Sequence, residues 1–171
     1  GGIVVDGKIL VGANSIAGEW GHNRLPVVSV DQLPGPQCYC GRFGCVETYL
    51  SGPGFARDHA GHTGLQIEPR AIVAGAAEGE ADCRATLDRY EARLARALAN
   101  VINILDPDVV VLGGGMSNVD ELYERVPRLW QSHVFSDEIR TRLVRNRHGD
   151  SSGVRGAAWL WPLRQEEGQA K

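Results

Sequence analysis

The sequence predicts an α/β domain, and three observations carry that prediction. Residues 82–105 repeat apolar side chains at spacings of three and four, the pattern of an amphipathic helix. Asp108-Val109-Val110-Val111-Leu112 is a continuous apolar run of strand length, typical of a strand covered on both faces. Gly113-Gly114-Gly115 follows at once, and a second helical pattern follows the glycines. Helix, buried strand, glycine turn and helix in that order imply at least one parallel strand segment packed against helices.

Taken from the start, Ile3-Val4-Val5 and Ile9-Leu10-Val11 flank Asp6-Gly7-Lys8. Asp-Gly between apolar runs predicts a tight hairpin. Residues 12–44 break into Gly, Pro, Asn and polar residues with no period, too long a stretch for an idle loop in a compact domain. Something other than regular structure must hold it. Residues 46–59 turn mildly helical, interrupted by Ser51-Gly52-Pro53-Gly54. Pro69 opens another helix at a favourable first-turn position, running through Ala71, Ile72, Val73 and Ala76. In the long helix, Leu87, Tyr90, Leu94, Leu98, Val101, Ile102 and Leu105 form the buried stripe. Asp106-Pro107 stops it, because proline disfavours helix at the residue before it. Ser117-Asn118 are expected to cap a helix over 119–133, and 142–145 reads as a short strand. A last helix is expected over 153–161, with Asp150-Ser151-Ser152 as its cap and Pro162 as its stop. The polar tail 164–171 is expected to fray.

Composition narrows the function classes. At 171 residues the chain makes one ordinary domain, and 43% hydrophobic with 23% charged residues excludes intrinsic disorder. No apolar run approaches the roughly 20 residues of a membrane span. A net charge of −3 gives no electrostatic case for a nucleic-acid surface. The chain opens in mid-strand, without Met or the charged and apolar regions of a signal peptide, as though cut from a longer protein. On that expectation its four cysteines read as reduced cytosolic thiols or metal ligands rather than disulfides.

Three constellations carry chemistry. His22, Cys38, Cys40 and Cys45 supply one imidazole and three thiolates, a set that satisfies tetrahedral zinc. Buried thiols are also common without a metal, but three cysteines within eight residues and a nearby histidine favour zinc. Such a site would pin the irregular loop. Cys83 stands apart as a core or surface thiol. Gly113-Gly114-Gly115 lets backbone N–H groups approach a phosphate or base, although strand-to-helix turns use glycine for conformational reasons anyway. Gly1-Gly2 is a remnant of the same kind. Glu19 and Glu47 flank the metal candidates and suit sugar hydroxyls as bidentate acceptors. A solvated surface role is the commoner fate of Glu, and residue chemistry alone leaves both readings open.

At these residues the chain resembles the ROK family of repressors, open reading frames and sugar kinases. The resemblance rests on Ala17-Gly-Glu-Trp-Gly-His22, Cys38-x-Cys-Gly-x-x-Gly-Cys-x-Glu47, Ser51-Gly52, residues 103–117 and residues 148–158. It covers nearly the whole chain, and within the family it is most similar to bacterial fructokinases and mannokinases. The resemblance implies an actin-like, ribonuclease-H-like α/β fold with two lobes around a cleft. It implies transfer of the γ-phosphoryl of Mg2+-ATP to a hexose, D-fructose first, in the cytoplasm, with no membrane or nucleic-acid partner, and it admits a homodimer.

Carried over residue by residue, Glu19, His22 and Glu47 match sugar-binding positions. His22, Cys38, Cys40 and Cys45 match the Zn2+ set. Gly1, Gly2 and Ile3 match the end of a phosphate loop, and Gly113, Gly114 and Gly115 the adenosine-side turn. The family's first phosphate loop and the segment with the catalytic Asp have no counterpart in the chain. Residues 1–171 are therefore expected to be the C-terminal part of a kinase, with 12–50 as a sugar and zinc loop. No residue present is nominated as general base, and the isolated chain is expected to be inactive. The competing expectation is the sugar-sensing part of a ROK repressor, which keeps the same zinc and sugar residues. The glycine turns favour the kinase, since a sensor has no need of ATP.

Overall fold

The computed structural model describes residues 1–26, 28–149 and 153. In chain order it contains β1 (Val4–Val5), β2 (Lys8–Ile9), α1 (Val46–Leu50), α2 (Gly52–Thr63), α3 (Pro69–Glu78) and α4 (Ala81–Leu105). β3 (Val109–Leu112), α5 (Leu122–Leu129) and β4 (Arg142–Arg145) complete it, with short 3-10 turns between. The expected last helix over 153–161, its cap at Asp150-Ser151-Ser152 and the tail fall outside the described residues, save Gly153.

α4 is the axis of the core. Leu87, Tyr90, Leu94, Leu98 and Ile102 are all buried, against Ile72 of α3 and Leu122, Val126 and Trp130 around α5. Each fully buried leucine contributes about 1.5–3 kcal/mol relative to exposure. The stripe opens at its end: Val101 is half-buried and Leu105 exposed, and both face a cleft. Asp106 closes the helix in the left-handed region (φ 43°), just ahead of Pro107.

Ion pairs fasten α4 to its neighbours. Glu91 is fully buried and accepts from Arg125 Nε at 2.6 Å and from Arg84 at 3.4 Å, which ties α4 to the α5 side. Asp58 of α2 accepts from Arg93 at 2.6 Å and Arg89 at 2.8 Å. Burial pushes the Asp58 carboxyl up, but the two guanidiniums outweigh it and hold the group below the usual carboxylate range. A depressed folded pKa contributes stability above the unfolded value of about 4, lost as pH falls through the folded one. Asp58→Asn is therefore expected to destabilise the protein by about 3 kcal/mol at neutral pH, with the difference closing below pH ~4 in paired denaturant melts.

The hairpin forms as its sequence predicts, with β1 and β2 antiparallel and Val4 opposite Ile9. Asp6 and Gly7 both take positive φ (51° and 73°), as its two-residue turn requires. β3 and β4 are parallel, in register from Val109–Arg142 to Leu112–Arg145. Two expectations are corrected. β3 is covered on one face only: Val110 and Leu112 pack on the core, while Val109 (39% exposed) and Val111 (56%) are left open. An unbroken apolar run cannot distinguish these cases, because alternate residues of a strand point to opposite faces. The helix after the glycines starts at Leu122 rather than at 119 and becomes a 3-10 turn at Trp130. Ser117 does not cap it, because its hydroxyl turns back to the Gly114 carbonyl. No described helix is long and apolar enough to cross a membrane.

Candidate functional site

The irregular segment before α1 is held by crossings of its own backbone. Leu25 N–H donates to Gly44 O (2.8 Å), Gly44 N–H to Pro36 O (2.8 Å) and Val46 N–H to Asn23 O (2.9 Å). Bridges pair Arg24 with Cys45 and Gln37 with Phe43. These crossings bring His22 beside the cysteines. His22 Nδ1 lies 3.6 Å from Cys38 Sγ, and Cys40 Sγ lies 3.6 Å from Cys45 Sγ. All four ligand atoms fall within 4.8 Å of one another. Zinc at about 2.0–2.3 Å from nitrogen and sulfur needs tetrahedral edges of roughly 3.4–3.8 Å, so the donor set and its spacing suit that ion.

The thiols are polarised against one another. Cys40 is lowered to about 6, chiefly by the backbone N–H of Arg42, while burial and the neighbouring thiols push Cys45 up to about 11. A cation among the sulfurs offsets the cost of holding three thiolates together. Cys83 is elsewhere, buried in the core, with its thiol donating to Glu80 at 3.3 Å.

His22 presents its second nitrogen away from the sulfurs. Nε2 meets the Tyr39 hydroxyl at 2.8 Å and Glu47 Oε2 at 3.5 Å. One imidazole can therefore face a metal through Nδ1 and a polar ligand through Nε2. Glu47 is in the first turn of α1, immediately after its N-cap Cys45, so the backbone at the metal candidate sets where its carboxylate goes. Tyr39 sits between the two cysteines of Cys38-Tyr39-Cys40, and nothing in that local spacing marks it as a site residue. Its hydroxyl is held above the usual phenol value by desolvation and by the negative charges of Glu47, Cys38, Glu19 and Cys40. Both proposed sugar carboxylates thus act on one exposed tyrosine.

Glu19 precedes the Trp20–His22 turn and sits against the first residues of the chain. Gly18 has φ +91°, and a Cβ there would lie 2.8 Å from both Cα and N of Gly2, which no side chain tolerates. The backbone of Gly1-Gly2 therefore rests directly on Gly18, and Gly1 N lies 3.8 Å from Glu19 Oε1. Gly18→Ala is expected to separate these two segments and to lower the melting temperature, read by calorimetry.

An open cleft of about 1990 Å³ is lined by Gly1, Gly2, Ile3 and Glu19 and also by Gly113, Gly114 and Gly115. Gly114 needs glycine for its backbone, at φ +75°. At Gly113 and Gly115 no described atom lies within 4 Å of where a Cβ would stand, so the turn faces open space. His22 lines a smaller hollow of about 540 Å³ with Arg42 and Cys45, and Glu47 lines neither.

An α/β fold with a Cys/His loop beside a glycine-walled cleft defines a known class, and a family model for ROK proteins matches residues 1–164. The chain belongs to the ROK family. It is 42% identical over 164 residues to the N-acetyl-D-glucosamine kinase of Aliivibrio fischeri, covering 94% of this chain and 54% of the relative. With the enzyme of that name from Erwinia tasmaniensis it shares 43% over 165 residues, at the same coverage. The chain thus spans about half the length of the curated relatives it matches.

Among solved structures it resembles a ROK hexokinase from Thermus thermophilus at a TM-score of 0.77 and 28% identity, over 93% of this chain and 52% of that one. A ROK glucokinase from Streptomyces griseus, in complex with glucose and AMPPNP, gives 0.77 and 27%, over 93% and 55%. A ROK transcriptional regulator, a homologue of the E. coli MLC protein, gives 0.71 and 27%, over 93% and 42%. Kinases and a regulator share this fold.

Proposed function

We propose that the protein is an ATP-dependent hexose kinase of which residues 1–171 are the C-terminal part. The observation that supports this most is the cleft itself. It is lined both by Glu19, which precedes the Trp20–His22 turn, and by an open glycine turn with φ +75° at Gly114. Glu19, His22 and Glu47 hold the sugar, with Tyr39 buttressing His22. Gly1, Gly2 and Ile3 border the transferred phosphate, and Gly113, Gly114 and Gly115 carry the adenosine side. His22 through Nδ1, with Cys38, Cys40 and Cys45, holds one Zn2+, and residues 12–50 are the loop that this ion staples. Mg2+ supplied with ATP neutralises charge on the phosphates when bound.

The family resemblance implies D-fructose first, but the relatives from Aliivibrio fischeri and Erwinia tasmaniensis, at 42% and 43% identity, are N-acetyl-D-glucosamine kinases. We therefore rank that sugar first and D-fructose second. Free thiols fit the reducing cytoplasm, and a homodimer is compatible with the fold. The sensor alternative has a structural neighbour in the MLC homologue, while the relatives at 42–43% identity are kinases, which favours the kinase reading.

Glu47→Gln in the full-length protein tests the sugar assignment. It keeps the shape of the side chain and removes the charge that accepts from hydroxyls, a bond class worth about 1.5–3 kcal/mol. Hexose affinity is expected to fall by about tenfold or more, with zinc content and ATP affinity unchanged. Unchanged hexose affinity removes Glu47 from the site, and lost zinc reassigns it to support of the metal loop.

A further inference from the structure

The glycine turn is braced from behind by residues that neither the sugar nor the metal uses. β3 and β4 end side by side at Leu112 and Arg145, and their chains then part. Asn146, the first residue past β4, donates from Nδ2 to Leu112 O at 3.1 Å and to Ser117 Oγ at 3.1 Å. The Ser117 hydroxyl, buried at 1% exposure, donates to Gly114 O at 2.7 Å, and Ser117 N–H reaches the same carbonyl at 3.0 Å. The Tyr123 hydroxyl donates to Ser117 O at 2.6 Å, under a guanidinium of Arg145 that also pairs with Asp120.

These bonds fix the direction of two peptide units. In a planar trans peptide the C=O and N–H point opposite ways. Holding Leu112 O and Gly114 O on the brace side therefore turns the N–H groups of Gly113 and Gly115 to the other side. All three glycines line the cleft, and no described atom lies within 4 Å of where a Cβ would stand on any of them. We propose that Ser117 and Asn146 are positioning residues that aim the Gly113 and Gly115 N–H donors at the bound nucleotide, with Tyr123 holding Ser117 in place. The inference rests on the kinase reading and extends it to residues outside the glycine motif. Asn146 lies 31 residues beyond Gly115, so strand pairing rather than sequence proximity brings it to the turn.

The test uses the full-length protein and AMPPNP. Ser117→Ala removes the hydroxyl bridge. Asn146→Asp keeps the shape of the side chain but replaces the donor with oxygens that oppose Leu112 O. Each is expected to weaken AMPPNP binding and raise the KM for ATP by about tenfold, with hexose affinity within about twofold of wild type. Ser117→Thr keeps the hydroxyl and is expected to restore nucleotide affinity to within about threefold of wild type. Because Ser117→Ala sits in a buried position, Tyr123→Phe serves as the gentler variant, with an expected loss of about threefold. A merely structural role moves hexose affinity and melting temperature together with nucleotide affinity, and that pattern overturns the proposal. So does unchanged AMPPNP affinity in folded Ser117→Ala and Asn146→Asp. If the wild-type protein itself takes no AMPPNP, the kinase reading fails and this inference falls with it.

Discussion

Replacing Cys45 with serine in the full-length protein is expected to remove zinc and, with it, nearly all hexose affinity. Cys45 is the most buried of the three loop thiols, at 1% exposure, and its sulfur lies 3.6 Å from both Cys40 Sγ and the His22 carbonyl. It is also the N-cap residue of α1, two positions before Glu47. Losing the ligand therefore frees one end of the metal loop and the direction of a sugar carboxylate together. A structural zinc stabilises its fold by about 10–16 kcal/mol, so loss of one of four ligands leaves the loop without most of its order. Zinc content is expected to fall well below one equivalent, and hexose affinity by about a hundredfold or more. Cys83→Ser is the control: that thiol is buried in the core far from the loop in sequence, so zinc and hexose binding are expected to stay as they are. Metal analysis and calorimetry on both variants decide the matter. Full zinc content in Cys45→Ser contradicts the assignment of the fourth ligand.

The isolated chain, residues 1–171, is expected to turn over ATP at a rate lower by about 10²–10⁴-fold or more than the full-length enzyme. In the proposed arrangement Glu19 and Glu47 bind the sugar, and no described acidic residue is assigned as base for the attacking hydroxyl. A positioned general base contributes about 10²–10⁴-fold by itself, and a second phosphate loop adds to that. A coupled assay of ADP formation with N-acetyl-D-glucosamine, run on both proteins at equal concentration, measures the gap. Comparable rates in the two would place the base within this chain.

Much of this was legible in the sequence, for identifiable reasons. The hairpin followed from Asp6-Gly7 because few residue pairs allow its turn, and the stop of α4 followed from Asp106-Pro107. The cluster of His22, Cys38, Cys40 and Cys45 was readable because three cysteines lie within eight positions and His22 falls in a motif the family shares. The exposure of Val109 and Val111 is not legible in the sequence, because a run of valines carries no period and only tertiary packing shows that one face is left open. Serine before a helix is usually a cap, whereas here the Ser117 hydroxyl serves the turn behind it. The roles of Tyr39 and Asn146 are not legible in the sequence. The partners of Tyr39 lie up to 20 residues away in sequence and those of Asn146 up to 34, and neither local pattern hints at them.

The measurement that bears most directly on the central claim is sugar-dependent ADP release by the full-length protein with Mg2+-ATP, across a hexose panel. ADP is expected only when a hexose is present, stoichiometric with phosphorylated sugar, fastest with N-acetyl-D-glucosamine and slower with D-fructose. Tight hexose binding with no ADP formed, and with hexose affinity indifferent to AMPPNP, would contradict the kinase account and leave the sugar sensor in its place.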